Sequence, residues 1–288
     1  MGEFLVVQTL NGLVYSMLLF VLALGLSMTF GLLRFVNLAH GSFFLLGAYV
    51  GLTVVSRTGS FILAALAGGC TAGAIGFLLE RLSLRHFYRR SDLDQVILSF
   101  GFALVFVDVA KMIWGRDVHS LGAPSWLSGS VNIGAMTYPS YRLALIAIGI
   151  ALFVAVWFAI ERTRAGALVR ASVADRDMVS GIGFDVRALF TLVFAFGALL
   201  AGLGGVLAAP ITGIYQGLDF EVLITTLIVV VVGGLGSISG AFWASILIGV
   251  ADTYGRALIP ETASFLIFGV MALVLLVRSW GQVEEDID

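Results

Sequence analysis

The 288 residues hold few groups able to make or break a bond, and their spacing excludes most of the reactions those groups could run. The three histidines, His40, His86 and His119, fall in separate segments, and the single cysteine, Cys70, sits inside an apolar run. A metal centre or a nucleophile beside its base needs such groups clustered, and neither H-E-x-x-H nor G-x-S-x-G occurs. Cys70 has no partner for a disulfide within the chain and reads as an inert packed thiol. A phosphate-binding loop requires G-x-x-x-x-G-K-[ST], yet the only lysine lies in Asp108-Val-Ala-Lys111-Met-Ile-Trp, without glycines. We therefore expect a chain that is not an enzyme, holds no metal or cofactor, and draws energy from a partner or a gradient.

Other polar groups are placed to bind rather than react. Asp108 precedes Lys111 by three residues and Asp252 precedes Arg256 by four, so each pair shares a helix face and is either a neutralised pair near a helix end or a gate or solute contact. The segment Arg34-Phe-Val-Asn37-Leu-Ala-His40-Gly41-Ser42 sets polar groups and a helix-weakening glycine where an apolar run should continue. Asn37 and His40 share a face there, either as a polar clamp between helices or against a path through the protein. A second interruption, Gly233-Gly234-Leu-Gly236-Ser237-Ile-Ser239-Gly240-Ala241, lies between two later apolar runs. It is either a tight turn or a broken helix whose freed backbone groups face a solute.

The elements that must carry these groups lie in lipid. Hydrophobic residues make up 60% and charged residues 12%, against about 25% charged in soluble domains, and the mean hydropathy is +1.06. The net charge of −2 gives no nucleic-acid footprint. About 20 apolar residues cross a bilayer, which marks nine spans near 6–33, 36–55, 60–79, 95–114, 143–160, 188–209, 222–236, 240–258 and 263–280. The second is interrupted and the seventh short. Backbone groups in lipid must be satisfied internally, so the expected fold is an all-α polytopic membrane helix bundle forming one domain over 1–288. Met1-Gly2-Glu3 lacks the basic start of a cleavable signal, and the first span is expected to be retained. Small residues recur at helical spacing at Gly69 and Gly73 and at Gly197, Ala201, Gly205 and Ala209, where helices should pack closely.

Arg81, Arg85, Arg89 and Arg90 crowd one loop, and Arg162, Arg164, Arg170, Arg176 and Arg187 another. The positive-inside rule makes both cytoplasmic, with the N-terminus outside and the acidic tail Glu284-Glu285-Asp286-Ile287-Asp288 inside. The loop from Gly115 to Tyr141, with Pro124, Trp126 and Pro139, is expected to be an outer turn-rich cap. Within 161–187, the segment from Arg162 through Asp185 reads as a short amphipathic helix ending at glycine. Met178 and Ile182 lie on one side of it, suited to a groove or to the bilayer surface.

These motifs together resemble the permease subunits of branched-chain (hydrophobic) amino acid ATP-binding-cassette importers, over nearly the whole chain. The likeness rests on Asn37, Ala39, His40 and Gly41 followed by Gly47-Ala48-Tyr49, on Arg170, Ala171, Asp175 and Met178 with Gly181-Ile182-Gly183, and on Gly233 to Ser237 followed by Gly240-Ala241. One departure is Ser239, where many relatives have proline. The resemblance implies a multi-pass protein of a bacterial-type inner membrane with a second, homologous or identical, permease subunit. It also implies two cytoplasmic ATPases that use the ATP, and a periplasmic binding protein that delivers the solute. It implies that Ala171, Asp175, Met178, Gly181, Ile182 and Gly183 couple to the ATPase. Asn37, His40, Gly41, Ser42, Gly233, Gly234, Gly236 and Ser237 would line the path; independently of the resemblance, the two interruptions at corresponding places in the two halves point to an inverted repeat. Urea, short-amide and aromatic-acid permeases belong to the same group; an ATP-independent facilitator of a small polar solute is the reading from a different class.

Overall fold

The computed structural model describes residues 2–33, 35–88, 90–134 and 136–285, with their side chains except those of 133, 262–264 and 278–285. Arg34, Arg89, Asp286, Ile287 and Asp288, and the side chains of Glu284 and Glu285, lie outside that description.

Apolar runs long enough to hold a helix do so, and polar caps divide them. Helix α1 spans Gly2–Leu33, α2 His40–Thr58, α3 Phe61–Leu82, α4 Asp92–Trp114 and α5 Ser140–Arg162. Two short helices follow, α6 Arg164–Ala174 and α7 Arg176–Gly181, then α8 Val186–Thr212, α9 Leu218–Gly233, α10 Ile238–Leu258 and α11 Ala263–Glu285. Ser60 caps α3 by accepting from the Leu63 N–H, and Ser91 caps α4 by accepting from the Asp94 N–H, with Asp92 and Asp94 in its first turn. Such oxygens satisfy amide donors that a helix start leaves unpaired. Each expected span overlaps one of these helices, but 36–39 of the second and 234–236 of the seventh are not helical. Among the described residues, five stretches are long and apolar enough to cross a membrane: Gly2–Leu33, Phe61–His86, Asp92–Trp114, Ser140–Arg162 and Val186–Thr212. The fold is an all-helical bundle of a multi-pass membrane protein.

Four expectations are corrected in detail. The second span is not broken internally: the polar segment is non-helical, and α2 starts only at His40. The outer cap contains an antiparallel hairpin, β1 Ser130–Ile133 paired with β2 Met136–Pro139, turning near Gly134 at φ +63. The amphipathic stretch is part of two helices that break at Asp175. Cys70 is exposed rather than packed, because the small residues Gly69, Ala72, Gly73 and Gly76 turn the opposite side of α3 toward α8.

Glycines set the packing at the centre. Helices α2, α3 and α8 converge on Gly47, Gly68 and Gly202: a Cβ on Gly47 would enter the Gly202 backbone, and one on Gly68 would meet the Gly47 carbonyl. Helix α1 runs antiparallel to α8, with Leu22 beside Gly204 and Gly25 against Gly197. The expected ladder on α8 thus meets α1 at Gly197 and α2 at Gly205, where a Cβ would strike the Phe44 carbonyl. Helix α3 packs along α8, and α10 packs along α1 through Gly249 against Ser16 and Gly12 against Val250. Phe43, Phe44, Phe194, Leu22 and Val206 fill the spaces between. Helices α4 and α5 flank this centre and turn Ile97, Leu104, Ile150 and Val154 outward.

Candidate functional site

After α1 ends, Phe35 to Ala39 runs through the interior without helical structure, and Phe35, Asn37, Ala39 and His40 are all buried. Such a segment needs partners for its backbone. Asn37 Oδ1 accepts from the Ala39 N–H at 3.1 Å, a local turn that aims the chain into α2. Ser99 of α4 accepts from the Leu38 N–H at 3.2 Å and donates to the Val36 carbonyl at 3.2 Å. His40 Nε2 lies 3.1 Å from the Leu22 carbonyl, and since a carbonyl only accepts, that nitrogen carries the hydrogen.

The first turn of α2 meets the first turn of α9. Gly41 lies flush against the Asp219 carbonyl, and Ser42 Oγ donates to Asp219 Oδ2 at 3.3 Å. One turn or more above, the Tyr49 ring stacks on Trp114 with centroids 5.0 Å apart and meets His119 edge-on at 6.0 Å. The connection 213–217 that leads into α9 is pinned beside them. His119 and Ile214 exchange backbone hydrogen bonds, and Gln216 Nε2 donates to the Gly115 carbonyl at 3.1 Å. Asp219 was absent from the sequence-derived candidates because it fell in the gap between spans at 209 and 222. Its signal was an acidic residue two places after Gly217, opening an apolar run.

The Gly233 to Ser237 group lies elsewhere, in the connection between α9 and α10 at the arginine-rich end of the bundle. Gly234 and Gly236 take φ +90 and +81. Ser237 caps α10 by accepting from the Gly240 N–H at 3.0 Å. Gly233 packs on Gly240, and Gly236 on Gly31 near the end of α1. Leu235 and Gly236 line a cleft of about 210 Å³ with Gly31, Val169, Arg170 and Val173. Nine residues of α1 separate Gly31 from Leu22, about 13 Å of helix, so the structure does not bring this group together with Asn37 and His40.

Near that end lie α6 and α7. Ala171 is on α6, and Asp175 caps α7 by accepting from the Met178 N–H at 2.9 Å. Gly181 ends α7, and Gly183 follows at φ +93. Val179 points inward, while Met178 and Ile182 are each 64% exposed and Phe184 is 51% exposed. Arg176 Nη2 donates to the Leu32 carbonyl at 2.7 Å, and its guanidinium lies 4.7 Å over the Phe190 ring. Glu80 is buried beside it, accepting from Tyr88 at 2.9 Å and from Thr191 at 2.5 Å. Burial, then the Glu80 carboxylate, push the Tyr88 phenol up. These groups border a cavity of about 440 Å³ with Arg85, His86 and Arg187.

At the opposite end, Arg256 Nε donates to both Asp252 oxygens at 2.9 Å, beside a cleft of about 490 Å³ that also holds Tyr15, Tyr215 and Glu221. Lys111 and Asp108 form a pair at 2.9 Å with Asp108 largely exposed. In both pairs the acid and the base are in contact in the structure. Among the described residues no three His, Cys, Asp or Glu side chains cluster as metal ligands.

The family described as branched-chain amino acid transport system, permease component, matches residues 8–275. The chain is 29% identical to the high-affinity branched-chain amino acid transport system permease protein BraD of Pseudomonas aeruginosa, over 95% of this chain and 94% of that protein. It is 28% identical to LivH of Escherichia coli strain K12, over 95% and 94%. With LivM of the same strain it shares 26% identity over 92% of this chain and 68% of that protein. Among solved structures, PsaBC from Streptococcus pneumoniae in complex with Fab is 16% identical with a TM-score of 0.49, covering 93% of this chain and 89% of that one.

Proposed function

The chain belongs to the family of permease components of branched-chain amino acid transport systems, and from that premise we propose that it forms the membrane path for branched-chain or related hydrophobic amino acids in an ATP-driven importer. The family is a transport family, and this subunit binds no cofactor: ATP is hydrolysed by two separate cytoplasmic ATPase subunits. A periplasmic binding protein delivers the solute, and a second permease subunit, homologous or identical, completes the membrane part. The relatives named above carry the branched-chain label rather than that of urea, short amides or aromatic acids.

One observation carries the reading: two short, buried helix starts, those of α2 and α9, meet inside the bundle at Ser42 and Asp219. Irregular backbone at membrane depth is tolerated where it lines a path. Asn37, His40, Gly41 and Ser42 belong to the middle of that path. Gly233, Gly234, Gly236 and Ser237 belong to its cytoplasmic mouth, where the flush contact of Gly236 with Gly31 opens and closes. All nine long helices span the bilayer in this arrangement, with the arginine-rich end cytoplasmic, the N-terminus outside, the C-terminus inside, and a bacterial-type inner membrane around them.

The halves form an inverted repeat. Helix α1 packs on α10 as α8 packs on α3, α1 and α8 run in opposite directions, and each is followed by an interruption and a short helix with a buried start. By that correspondence the counterpart of 35–39 is 213–217, not the turn at Gly233. The loop 161–187 is the coupling element of a single domain. Met178, Ile182 and the turn Gly181 to Gly183 dock on the ATPase, Ala171 and Asp175 shape the two helices behind them, and ATP binding moves them.

The test is reconstitution in liposomes, with leucine, valine and urea flux measured with and without ATPases, binding protein and ATP. Flux of leucine or valine only in the complete, ATP-supplied system is expected. Flux from the chain alone, indifferent to ATP, would replace this reading with that of a facilitator.

A further inference from the structure

The buried carboxylate at the meeting of α2 and α9 has more capacity to bind than its surroundings use. Asp219 is 1% exposed. Ser42 donates to its Oδ2 at 3.3 Å, the N–H groups of Gly217, Asp219 and Phe220 lie toward the carboxyl, and Oδ1 has no hydrogen-bond partner of its own. Among the described residues no salt bridge reaches it; the intramembrane acid Asp252, by contrast, has Arg256. The hydroxyl of Tyr49, one or two turns along α2 on the same side, is equally buried and unpaired, and it lies within electrostatic reach of the Asp219 carboxylate.

An unpaired acid inside a membrane protein is costly and marks function by default, with its partner to be named. A small cationic group with several N–H donors, able to enter between two helix starts, would complete the site at Oδ1. Among the described residues no lysine or arginine acts on this carboxyl, and the elements against it contribute Ser42, Tyr49 and Leu223. An amino acid in its zwitterionic form brings such a group. Its ammonium offers three donors, enough for Asp219 Oδ1, the Tyr49 hydroxyl and one backbone carbonyl. We propose that Asp219, with Tyr49 and Ser42, is the subsite that receives the solute's α-ammonium group as it crosses the membrane. The proposal rests on the permease reading and sharpens it: the path itself selects for an amino group and does not leave selection wholly to the binding protein. Ser42 orients the carboxylate, and the Trp114 ring stacked on Tyr49 holds the phenol in place.

The test uses the complete importer in liposomes, comparing wild type with Asp219→Asn and Asp219→Glu for leucine uptake and for ATP hydrolysis stimulated by leucine-loaded binding protein. Losing a charge-assisted hydrogen bond of this kind weakens binding by roughly 10- to 100-fold. The expected result is uptake per ATP hydrolysed at least about tenfold lower in Asp219→Asn than in wild type, with partial recovery in Asp219→Glu. Uptake by Asp219→Asn at the wild-type ratio would overturn the subsite and leave the permease standing. No ATP-driven flux from wild type would sink the permease reading, and the subsite with it.

If Asp219→Asn does not assemble, Ser42→Cys in a Cys70→Ser background decides the matter. A trimethylammonium thiol reagent should modify it at least about tenfold faster than a sulfonate reagent of the same length, with leucine protecting and 4-methylpentanoate, the same skeleton without the amino group, not protecting. Equal rates for both reagents, or equal protection by both compounds, would overturn the proposal.

Discussion

Arg176 and Leu32 are 144 residues apart, yet the guanidinium of one donates to the main-chain carbonyl of the other at 2.7 Å. The Leu32 carbonyl belongs to the last turn of α1, where helix carbonyls lack intrahelical partners. The same guanidinium covers the Phe190 ring of α8 at 4.7 Å. One side chain at the start of α7 therefore touches the helix that leads into the buried segment at Asn37 and the helix at the centre of the bundle. Arg176→Ala should leave the importer assembled but lower uptake per ATP by about five-fold or more, the lower end of ordinary coupling energies. Arg176→Lys should recover only part of it, because an ammonium cannot make the planar contact and the hydrogen bond together. Flux and hydrolysis measured on the same liposomes provide the check.

The exposed pair Met178 and Ile182 should matter for docking and not for folding. Both are 64% exposed, so replacing them by aspartate removes no buried contact. The double variant Met178→Asp, Ile182→Asp is expected to melt as wild type does in detergent. Its affinity for the ATPase should fall by about tenfold or more, as for the loss of two apolar anchors. An unchanged affinity would remove α7 from the docking surface.

Gly47→Ala should destabilise the bundle by about 1–3 kcal/mol, the usual cost of forcing atoms into a packed interior, because its Cβ would enter the Gly202 backbone. Gly101→Ala is the control: nothing lies within 4 Å of a Cβ there, and its stability should match or slightly exceed wild type. Thermal melts of the two variants side by side test the contrast.

His40 donates from Nε2 to the Leu22 carbonyl. His40→Gln keeps a donor of similar reach and should retain most of the stability and transport. His40→Leu removes this hydrogen bond and should cost about 0.5–1.5 kcal/mol. Equal behaviour of the two variants would show that the hydrogen bond contributes nothing.

Tyr88 supplies a pH dependence. Its phenol titrates higher in the folded chain than in the unfolded one, through burial first and the Glu80 carboxylate second. The bound proton then stabilises the fold fully below about pH 10, where an unfolded tyrosine titrates, and that contribution is lost as the pH rises above it. Tyr88→Phe should be less stable than wild type by a constant amount from pH 7 to about 10, with the gap closing at higher pH. Melting curves across that range would show a parallel pair if the phenol plays no part.

The membrane character, the helices and the family were legible in the sequence because they rest on long-range averages and on motifs. Apolar runs of sufficient length leave few alternatives, and the three motif groups, at Asn37 to Tyr49, Arg170 to Gly183 and Gly233 to Ala241, are specific together. Depth was harder to read. Gly233 to Ser237 looked like a counterpart to the first interruption because both are glycine-rich, but glycine also makes tight turns, and positive φ at Gly234 and Gly236 is that use. The connection 213–217 is short and leads to Asp219, which the sequence could not single out because the group it meets, Ser42, lies 177 residues earlier. Composition could not give the direction in which Cys70 faces, since an apolar run looks alike on its packed and lipid sides. The hairpin at Ser130–Pro139 was hidden by shortness: four-residue strands carry little periodicity.

The convergence of Gly47, Gly68 and Gly202 restricts how the protein can move. Where backbones interlock without side chains between them, neighbouring helices cannot glide past one another in small increments. A displaced α8 would find its next flush seating only one small-residue interval further on, about 6 Å along the axis. The trio of α2, α3 and α8 therefore behaves as a keyed shaft that turns or tilts as one piece. Conformational change falls to the joints at its ends, and the permease switches between a few discrete poses instead of breathing through a continuum.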